Sequence, residues 1–184
     1  MNMRGLLYGG VFGLAWTTTA LADDGPPKKP AKVEYSATLL IGYGAGGQFE
    51  DDTRNNYGFA LGGRAGLTLP APRLYFGLSF VHFAGYDDNQ SVHTSTLDAE
   101  VGYEFHLLRD RLLIRPQLGL GTALAMVLQS DNAGGALLFH WAPGVLAGLK
   151  AGPVLITAEY RRDLVPPDLW SNSNTVLFGC GVRL

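Results

Sequence analysis

The sequence predicts an all-β protein, an eight-stranded, antiparallel, up-and-down transmembrane β-barrel whose polar lumen is filled by side chains. The first observation is the alternation in residues 93–105, where every second residue from Leu97 onward is apolar and the positions between hold Asp98, Glu100 and Glu104. A strand sorts these two sets onto opposite faces, whereas a helix scatters them. The second is that eight such segments are joined by connections that alternate between long and short, as in up-and-down barrels. The third is that glycines accumulate on the charged face.

Composition excludes several other classes of protein. The chain of 184 residues carries 14 Lys and Arg against 16 Asp and Glu, so no basic excess points to nucleic acid. The single cysteine, Cys180, excludes an intrachain disulfide framework and a cysteine zinc site. We therefore expect one domain without metal or cofactor, in which Cys180 is a wall residue.

The first 22 residues have the pattern of an export signal. Arg4 precedes the apolar segment 6–16, and Ala20 and Ala22 form a small-residue cleavage site. An uncleaved anchor is the alternative, but the apolar segment is short for a membrane helix. Residues 23–34, rich in Pro and Lys, are predicted to be a flexible periplasmic leader, and residues 35–184 to be the barrel.

The first four predicted strands each have one apolar face. They cover residues 35–45, 57–69, 74–83 and 93–105. Polar loops at 46–56 and 84–92 alternate with a tight turn at 70–73, where Pro70 and Pro72 stop strand pairing.

The last four strands continue the pattern to the final residue. They cover residues 112–126, 137–150, 154–162 and 173–184, joined by loops at 129–135 and 163–172 and a turn at 151–153. A short connection at 106–111 precedes them. Pro116 lies on an apolar face without a backbone donor, which predicts a bulge or a weak point there.

The apolar faces are predicted to point outward. A soluble barrel of the lipocalin kind also alternates, but glycine weakens an exposed strand, whereas a narrow eight-stranded lumen needs small residues beside long charged ones. Aromatic residues near strand ends on the apolar face are typical of membrane interfaces; here they are Tyr43, Tyr57, Phe105, Trp141 and Tyr160.

The hairpin GVLAGLKAGPVLITAEYRR at 144–162 and the ending FGCGVRL at 178–184 are similar to late strands of a known group. The mature chain resembles the small eight-stranded outer-membrane barrels of Gram-negative bacteria, the OmpA-type transmembrane domain and the OmpX-like proteins. This resemblance implies a monomer in the outer membrane that contacts lipid and lipopolysaccharide. It also implies recognition of the last strand by the barrel-assembly machinery, through Phe178, Gly179, Val182 and Leu184, although that signal favours a terminal aromatic residue.

The charged faces predict a network of side chains inside the barrel. Its expected members are Arg64, Asp98, Glu100, Glu104, Arg115, Gln117, Lys150, Glu159, Arg161 and Arg183. The turn at 106–111 places Arg115 opposite Gly102 and diagonal to Glu100 and Glu104. We expect the network to plug the lumen, because eight strands leave no open channel; a narrow ion path is the alternative.

An enzyme is the less favoured interpretation. His93 and Ser95 share one face near the loop side of the fourth strand, and His82 faces the same way on the third. Lipid A deacylases place a His and Ser pair with an acid on the lipid-facing wall. The deacylase pattern His-x-Ser-Asn is missing, and Asp98 points the other way, so the sequence predicts no catalytic residue.

The loops give a third interpretation, a surface binder. The acidic tips Glu50, Asp51, Asp52, Asp87 and Asp88 are of the type that chelates a hard cation, but no EF-hand spacing is present. Loop solvation is therefore the expectation for them.

Overall fold

The barrel predicted from the alternation is confirmed. The computed structural model describes residues 32–46, 55–87, 90–128, 133–165 and 173–184. Nine antiparallel strands lie within them: β1 Glu34–Gly46, β2 Asn55–Thr68, β3 Leu74–Asp87, β4 Gln90–Tyr103, β5 Phe105–Leu107, β6 Leu112–Leu128, β7 Ala133–Ala151, β8 Val154–Asp163 and β9 Ser173–Arg183. Only Glu104 separates β4 from the three-residue β5, and both pair with β6, so they form one of eight barrel strands.

The sheet closes on itself through the first and last strands. Each strand pairs with its neighbours in the chain, and β1 also pairs with β9, with Leu39 opposite Cys180. The backbone groups of Tyr35 and Leu184 exchange two hydrogen bonds of 2.9 Å. The pairing of β1 with β9 removes the two open edges that these strands would have in a flat sheet. In the part of the chain that the structure describes, no helix is long and apolar enough to cross a membrane.

The two ends of the barrel differ. One end carries the tight turns after β2, β5 and β7, together with Glu34 and Arg183, and we call it the short-turn end. The opposite end, which carries the connections after β1, β3, β6 and β8, is the loop end. In the turn between β7 and β8, Gly152 has a φ of +60°, a left-handed conformation that suits glycine.

Several strands extend further toward the loop end than the sequence predicted. The ladder of β3 and β4 continues to Asp87 opposite Gln90, and that of β6 and β7 continues to Leu128 opposite Ala133. The predicted loop at 84–92 is therefore mostly strand, and of the predicted loop at 129–135 the described residues 133–135 are strand. Backbone pairing does not require apolar side chains, so the ladder continues after the apolar pattern has ended.

Side chains follow the predicted polarity. The outward positions expose large apolar groups; Leu39 is 76% exposed and Leu78 is 61% exposed. The outward aromatic residues Tyr43, Phe105, Trp141 and Tyr160 are exposed as well.

Tyr57 is an exception, and its predicted outward position is wrong. It is buried and packs edge-on against Phe83, with ring centroids 5.0 Å apart. The pairing of β2 with β3 shifts between Asn55 and Phe59, where β2 advances four residues while β3 advances two. Gly58 lies within this irregularity at a φ of +69°. A bulge re-aims the side chains beside it, which a simple alternation cannot predict.

The lumen is less uniformly polar than expected. Two groups of buried apolar side chains fill part of it: Leu40, Tyr57, Ala60, Val81, Phe83 and Leu177 toward the loop end, and Leu113, Leu146 and Leu155 toward the short-turn end. Burying apolar groups beside ion pairs fills space that long charged side chains leave open.

Pro116 causes no bulge, since the register of β6 with β7 runs unbroken through Pro116 opposite Val145. The other predicted outcome, a weak point, matches the opposite side of β6, where the ladder is interrupted between Gln117 and Ile114. A proline removes one backbone donor, and the rest of this long ladder holds the strand in place.

Candidate functional site

Charged side chains from most of the strands meet inside the barrel. The ten residues of the predicted set all project from inward positions; nine are buried and Lys150 is partly exposed. They fall into three clusters, which we call the central, mouth and upper clusters. The central cluster lies halfway along the barrel, the mouth cluster at the short-turn end and the upper cluster toward the loop end.

The central cluster is built around Arg64 on β2. Its Nε lies 2.7 Å from Glu100 Oε2, and its Nη2 lies 2.9 Å from Glu100 Oε1, a bidentate pairing of guanidinium and carboxylate. The same Nη2 lies 2.5 Å from Oε2 of Glu159 on β8. Gln117 donates from Nε2 to Glu159 Oε1 at 2.9 Å. Four barrel strands are thus tied together across the lumen.

The mouth cluster is built around Glu104. Arg183 donates to both of its carboxylate oxygens, from Nη2 at 2.6 Å and from Nη1 at 3.0 Å. Arg183 Nε and Lys150 Nζ both reach Glu34 Oε2, at 2.5 and 3.0 Å. His106 Nε2 lies 3.0 Å from Glu104 Oε2. The last barrel strand is thereby joined to β1, β7 and the connection between β4 and β5.

Arg115 connects the central and mouth clusters. Its Nη1 lies 3.3 Å from Glu104 Oε1, and its Nε donates to Gln117 Oε1 at 2.8 Å. The guanidinium carbon lies 3.5 Å from the centre of the Tyr75 ring, a cation–π contact.

The register around Arg115 differs from the prediction. Gly102 lies opposite Gln117 rather than Arg115, because the turn spans residues 108–111 and so begins two residues later than expected. Arg115 consequently reaches Glu104, while Glu100 pairs with Arg64.

Glycines make room for this arrangement. Gly66 on β2 lies directly opposite Gly77 on β3, and the ring of Tyr75 covers both. A methyl group built on either glycine would overlap that ring. The close approach explains why glycine occupies these two inward positions.

The upper cluster is built around a buried histidine. His140 Nδ1 lies 2.7 Å from Asp98 Oδ1, and His140 Nε2 lies 3.1 Å from Asp163 Oδ1. Arg161 Nε lies 3.0 Å from Asp163 Oδ1, and Thr175 donates to Asp163 Oδ2. In the imidazolium form both ring nitrogens donate, and the two carboxylates then face two positive charges.

Five members of the clusters lie outside the predicted set: Glu34, His106, His140, Asp163 and Thr175. The sequence places Glu34 in the leader, His106 in a short connection and Asp163 in a loop, and it puts His140 and Thr175 on polar faces without a role. Asp163 has the same parity as Glu159 and Arg161, and Glu34 precedes the first predicted strand by one residue. Extending the alternation by one residue would have found both. The pairing of His140 with two acids depends on strands distant in sequence and leaves no local signal.

No group of three or more His, Cys, Asp or Glu side chains within the described ranges could hold a metal ion. The predicted acidic tip at residues 50–52 lies outside those ranges, as does Asp88.

The outer wall carries a second polar group, formed by His82, His93 and Ser95. His82 on β3 and Ser95 on β4 are direct cross-strand partners, and His82 Nδ1 lies 2.9 Å from Ser95 Oγ. His93 Nδ1 lies 3.3 Å from His82 Nε2, and the two imidazole rings stack with centroids 5.3 Å apart. Asp98 faces the lumen, as predicted from its parity.

No protein-family model matches the sequence, and no curated protein matches it. Solved structures do match. Neisserial surface protein A is 14% identical with a TM-score of 0.61, over 83% of this chain and 96% of that one. The N-terminal β-barrel domain of Pseudomonas aeruginosa OprF is 14% identical with a TM-score of 0.60, over 82% and 97%. Ail, the attachment invasion locus protein of Yersinia pestis, is 14% identical with a TM-score of 0.52, over 83% and 97%. This chain therefore has the fold of the small eight-stranded outer-membrane β-barrels.

Proposed function

We propose that this chain is an integral outer-membrane protein of structural or surface-interaction type, exported by a cleaved signal and plugged by its charged lumen. The observation that carries the proposal is the reversal of polarity between wall and lumen. Asp98 and Glu104 are fully buried, whereas Leu39 and Leu78 on the outer wall are 76% and 61% exposed. Acyl chains are the solvent that suits such a wall.

Aromatic side chains mark both limits of the wall. Tyr43 and Tyr160 lie outward toward the loop end, and Tyr35, Tyr103 and Phe105 lie outward toward the short-turn end. Amphipathic rings favour the region of the lipid headgroups, so these two bands are suited to the two membrane interfaces. The wall would then contact lipid on one leaflet and lipopolysaccharide on the other, and no second subunit is needed to cover it.

The three lumen clusters support a plug. Arg64, Arg115 and Arg183 each bridge different strands, and each faces a carboxylate at 3.3 Å or less. Opening a water-filled path would separate buried partners, and an uncompensated buried charge costs about 3–5 kcal/mol. An eight-stranded barrel has an interior just wide enough for such side chains to fill.

Any external partner would meet the loop end. The two longest connections, between β1 and β2 and between β8 and β9, emerge there, and binding residues tend to lie on loops that a rigid scaffold positions. The charged leader and the short turns would face the periplasm.

The last strand is suited to recognition by the barrel-assembly machinery. Phe178, Val182 and Leu184 point outward and are exposed, while Gly179 points inward against Thr38 and Thr157. An outward apolar row at the end of the chain is what the resemblance to assembly signals implies.

Planar-bilayer recording of the refolded protein tests the plug. We expect no steady openings from the wild type, and ion-selective openings from a Glu104→Ala, Arg115→Ala, Arg183→Ala variant. Arg111→Ala, an exposed residue of the turn before β6, is the matched control and should stay silent. Steady openings of the wild-type protein would favour the narrow channel instead.

Membrane placement is tested separately. The processed protein should require detergent for extraction and should show heat-dependent mobility on gels. Recovery of the protein in periplasmic extract without detergent would contradict the proposal.

A further inference from the structure

We propose that the outer wall carries a hydrolase site for acyl esters of membrane lipids, with Ser95 as nucleophile, His82 as general base and His93 as positioning residue. This inference goes beyond a structural role, and it rests on the membrane placement proposed above. Four observations support the proposal. Ser95, His82 and His93 form a hydrogen-bonded chain, which we call the relay. The relay lies toward the loop end of the wall, an apolar groove adjoins it, and it is separate from the lumen network.

The relay is formed by three side chains on adjacent strands. His82 Nδ1 lies 2.9 Å from Ser95 Oγ, and His82 Nε2 lies 3.3 Å from His93 Nδ1. Either tautomer of His82 satisfies both contacts. The tautomer that serves the proposed chemistry has its proton on Nε2, so that Nε2 donates to His93 while Nδ1 accepts the serine proton, the arrangement that activates a hydroxyl as a nucleophile.

The depth of the relay fits an ester substrate. On the outward face of β4, Leu97, Ala99 and Val101 run toward the short-turn end, and Ser95 and His93 follow toward the loop end. Along β4 the outward face therefore changes from apolar to polar at Ser95, while the cross-strand neighbours of the relay, Leu61 on β2 and Leu124 on β6, remain apolar and exposed. The relay is thus a polar group set into the apolar wall on its loop-end side, the side nearer to a headgroup layer, and the ester bonds of lipids lie between acyl chains and headgroups.

The same change from apolar to polar occurs along the neighbouring strand β3. Phe80, directly opposite Leu97, is outward and exposed, and His82 is the next outward residue after it. All three polar side chains of the relay are partly exposed, so a lipid and water can both reach them.

An apolar groove of about 510 Å³ in the outer wall adjoins the relay. It is lined by Phe80 and Leu97, the outward residues next to His82 and Ser95, and extends past Gly63 to Cys180. Gly63 opens the groove, because a methyl group added there would meet no heavy atom closer than Thr38 O at 3.7 Å.

The occupant that fits this groove is the acyl chain of the same lipid. The groove faces outward and begins one residue pair below the relay, at Phe80 and Leu97. Its lining is almost wholly apolar, which excludes a polar headgroup. A chain lying in it would bring the ester carbonyl to the level of Ser95.

The chemistry needs only water as a co-reactant. Ser95 Oγ attacks the ester carbonyl carbon while its proton passes to His82 Nδ1. The bond to the alcohol oxygen then breaks, and His82 returns the proton to that oxygen, which leaves an acyl-serine. Water, deprotonated by His82, attacks the acyl-serine; a fatty acid is released and Ser95 recovers its proton.

The third member of the relay is a histidine rather than an acid. Asp98 cannot serve, because it faces the lumen and bonds to His140 at 2.7 Å. His93 accepts from His82 and so holds the proton-accepting tautomer and orients its ring. We assign His93 a positioning role for this reason.

Hydrolysis of p-nitrophenyl laurate by the refolded protein in detergent micelles tests the proposal. We expect Ser95→Ala and His82→Gln each to lower kcat by about 10²–10⁴-fold, the usual contribution of such groups. Ser91→Ala is the matched control, since Ser91 is another outward serine of β4, four residues nearer the loop end, and its activity should equal that of the wild type.

A fluorophosphonate probe gives an independent measurement. It should label Ser95 in the wild type, as located by mass spectrometry, and leave Ser91 unlabelled. His93→Gln should lower kcat with little change in KM and should shift the pH profile of kcat, which a residue that merely stabilises the fold would not do.

The groove has its own test. Alkylation of Cys180, the single cysteine of the chain, with a bulky maleimide should raise KM for the laurate ester but leave KM for p-nitrophenyl acetate unchanged. Release of fatty acid from phospholipid vesicles or from purified lipopolysaccharide then identifies which lipid supplies the ester.

Wild-type hydrolysis equal to that of Ser95→Ala, together with no labelling of Ser95, would overturn the proposal. Heat-dependent gel mobility of every variant shows that the barrel has folded in the membrane mimic, so the loss of this site is distinguishable from the loss of the membrane barrel.

Discussion

At the scale of single residues, the lumen is held by side chains that each serve several partners. Arg115 contacts Glu104, Gln117 and the ring of Tyr75, and so belongs to two clusters at once. Removing such a side chain leaves a buried carboxylate with fewer hydrogen-bond donors. The resulting loss of folding stability is larger than the net contribution of the original contact.

We predict that Arg115→Ala lowers the free energy of unfolding by about 3–5 kcal/mol, because Glu104 and the Tyr75 ring lose a buried cation. Urea unfolding in lipid vesicles measures this. Arg111→Ala, which changes an exposed arginine, should leave the midpoint in place. An unchanged midpoint for Arg115→Ala would remove this residue from the network.

His140→Phe should destabilise the barrel by a similar amount, about 3–5 kcal/mol, since Asp98 and Asp163 then face each other without the donor between them. Adding Asp98→Asn removes one carboxylate charge, and the double variant should recover about 0.5–3 kcal/mol relative to additivity. Strictly additive losses in a double-mutant cycle would show that the histidine and the acid do not interact.

At the scale of single elements, the irregularity in β2 and the terminal strand β9 set the details of the barrel. The shift between Asn55 and Phe59 turns Tyr57 into the lumen, where it packs on Phe83. At the other end of the sheet, Leu184 completes the seam with Tyr35.

Gly58→Ala should lower stability by at least about 1–2 kcal/mol, because alanine is strained at a φ of +69°. The added methyl group would also overlap the carbonyl oxygen of Ala84. Gly63→Ala is the matched control in the same strand, and its outward position has room for a methyl group. Equal urea midpoints for the two variants would contradict the assignment of the bulge.

Leu184→Phe should raise the folded fraction in the outer membrane, since an aromatic terminus matches the assembly signal that the last strand resembles. Leu184→Asp should lower it. The heat-modifiable band in membrane fractions measures the folded amount, and a lack of response to both changes would show that this residue is not read during assembly.

At the scale of the whole molecule, the polarity of the barrel decides which solvent can surround it. Apolar side chains cover the wall, and the ion pairs are enclosed. The fold would be unfavourable in water, because the apolar wall would be exposed to water while the buried charges would still bear their desolvation cost.

Leu78→Arg should therefore destabilise the barrel in lipid vesicles by about 2–4 kcal/mol, as expected for a charge near the middle of the hydrocarbon region. Leu108→Arg, in the turn at the short-turn end, places the same charge at a position that is already 71% exposed and should have little effect. Equal behaviour of the two variants would place the wall of the barrel outside the bilayer.

Much of this architecture could be read from local alternation. A period of two assigns Leu78 outward and Arg64 inward without knowledge of any partner, and the predicted strands differ from the observed ones mainly at the loop end. The departures, such as Tyr57, occur where an irregular pairing interrupts the alternation.

The sequence by itself determined the number of barrel strands, the side of the wall on which residues in regularly paired segments lie, and the presence of buried charge. The tertiary structure decided which polar side chains meet. Arg64 pairs with Glu159, and His140 pairs with Asp98 and Asp163. On the outer wall, Ser95 contacts His82 of the neighbouring strand. The face to which a side chain points follows from its position within its own strand. The residue that it contacts depends on the stagger between strands and on closure of the sheet, and no single segment encodes either of these.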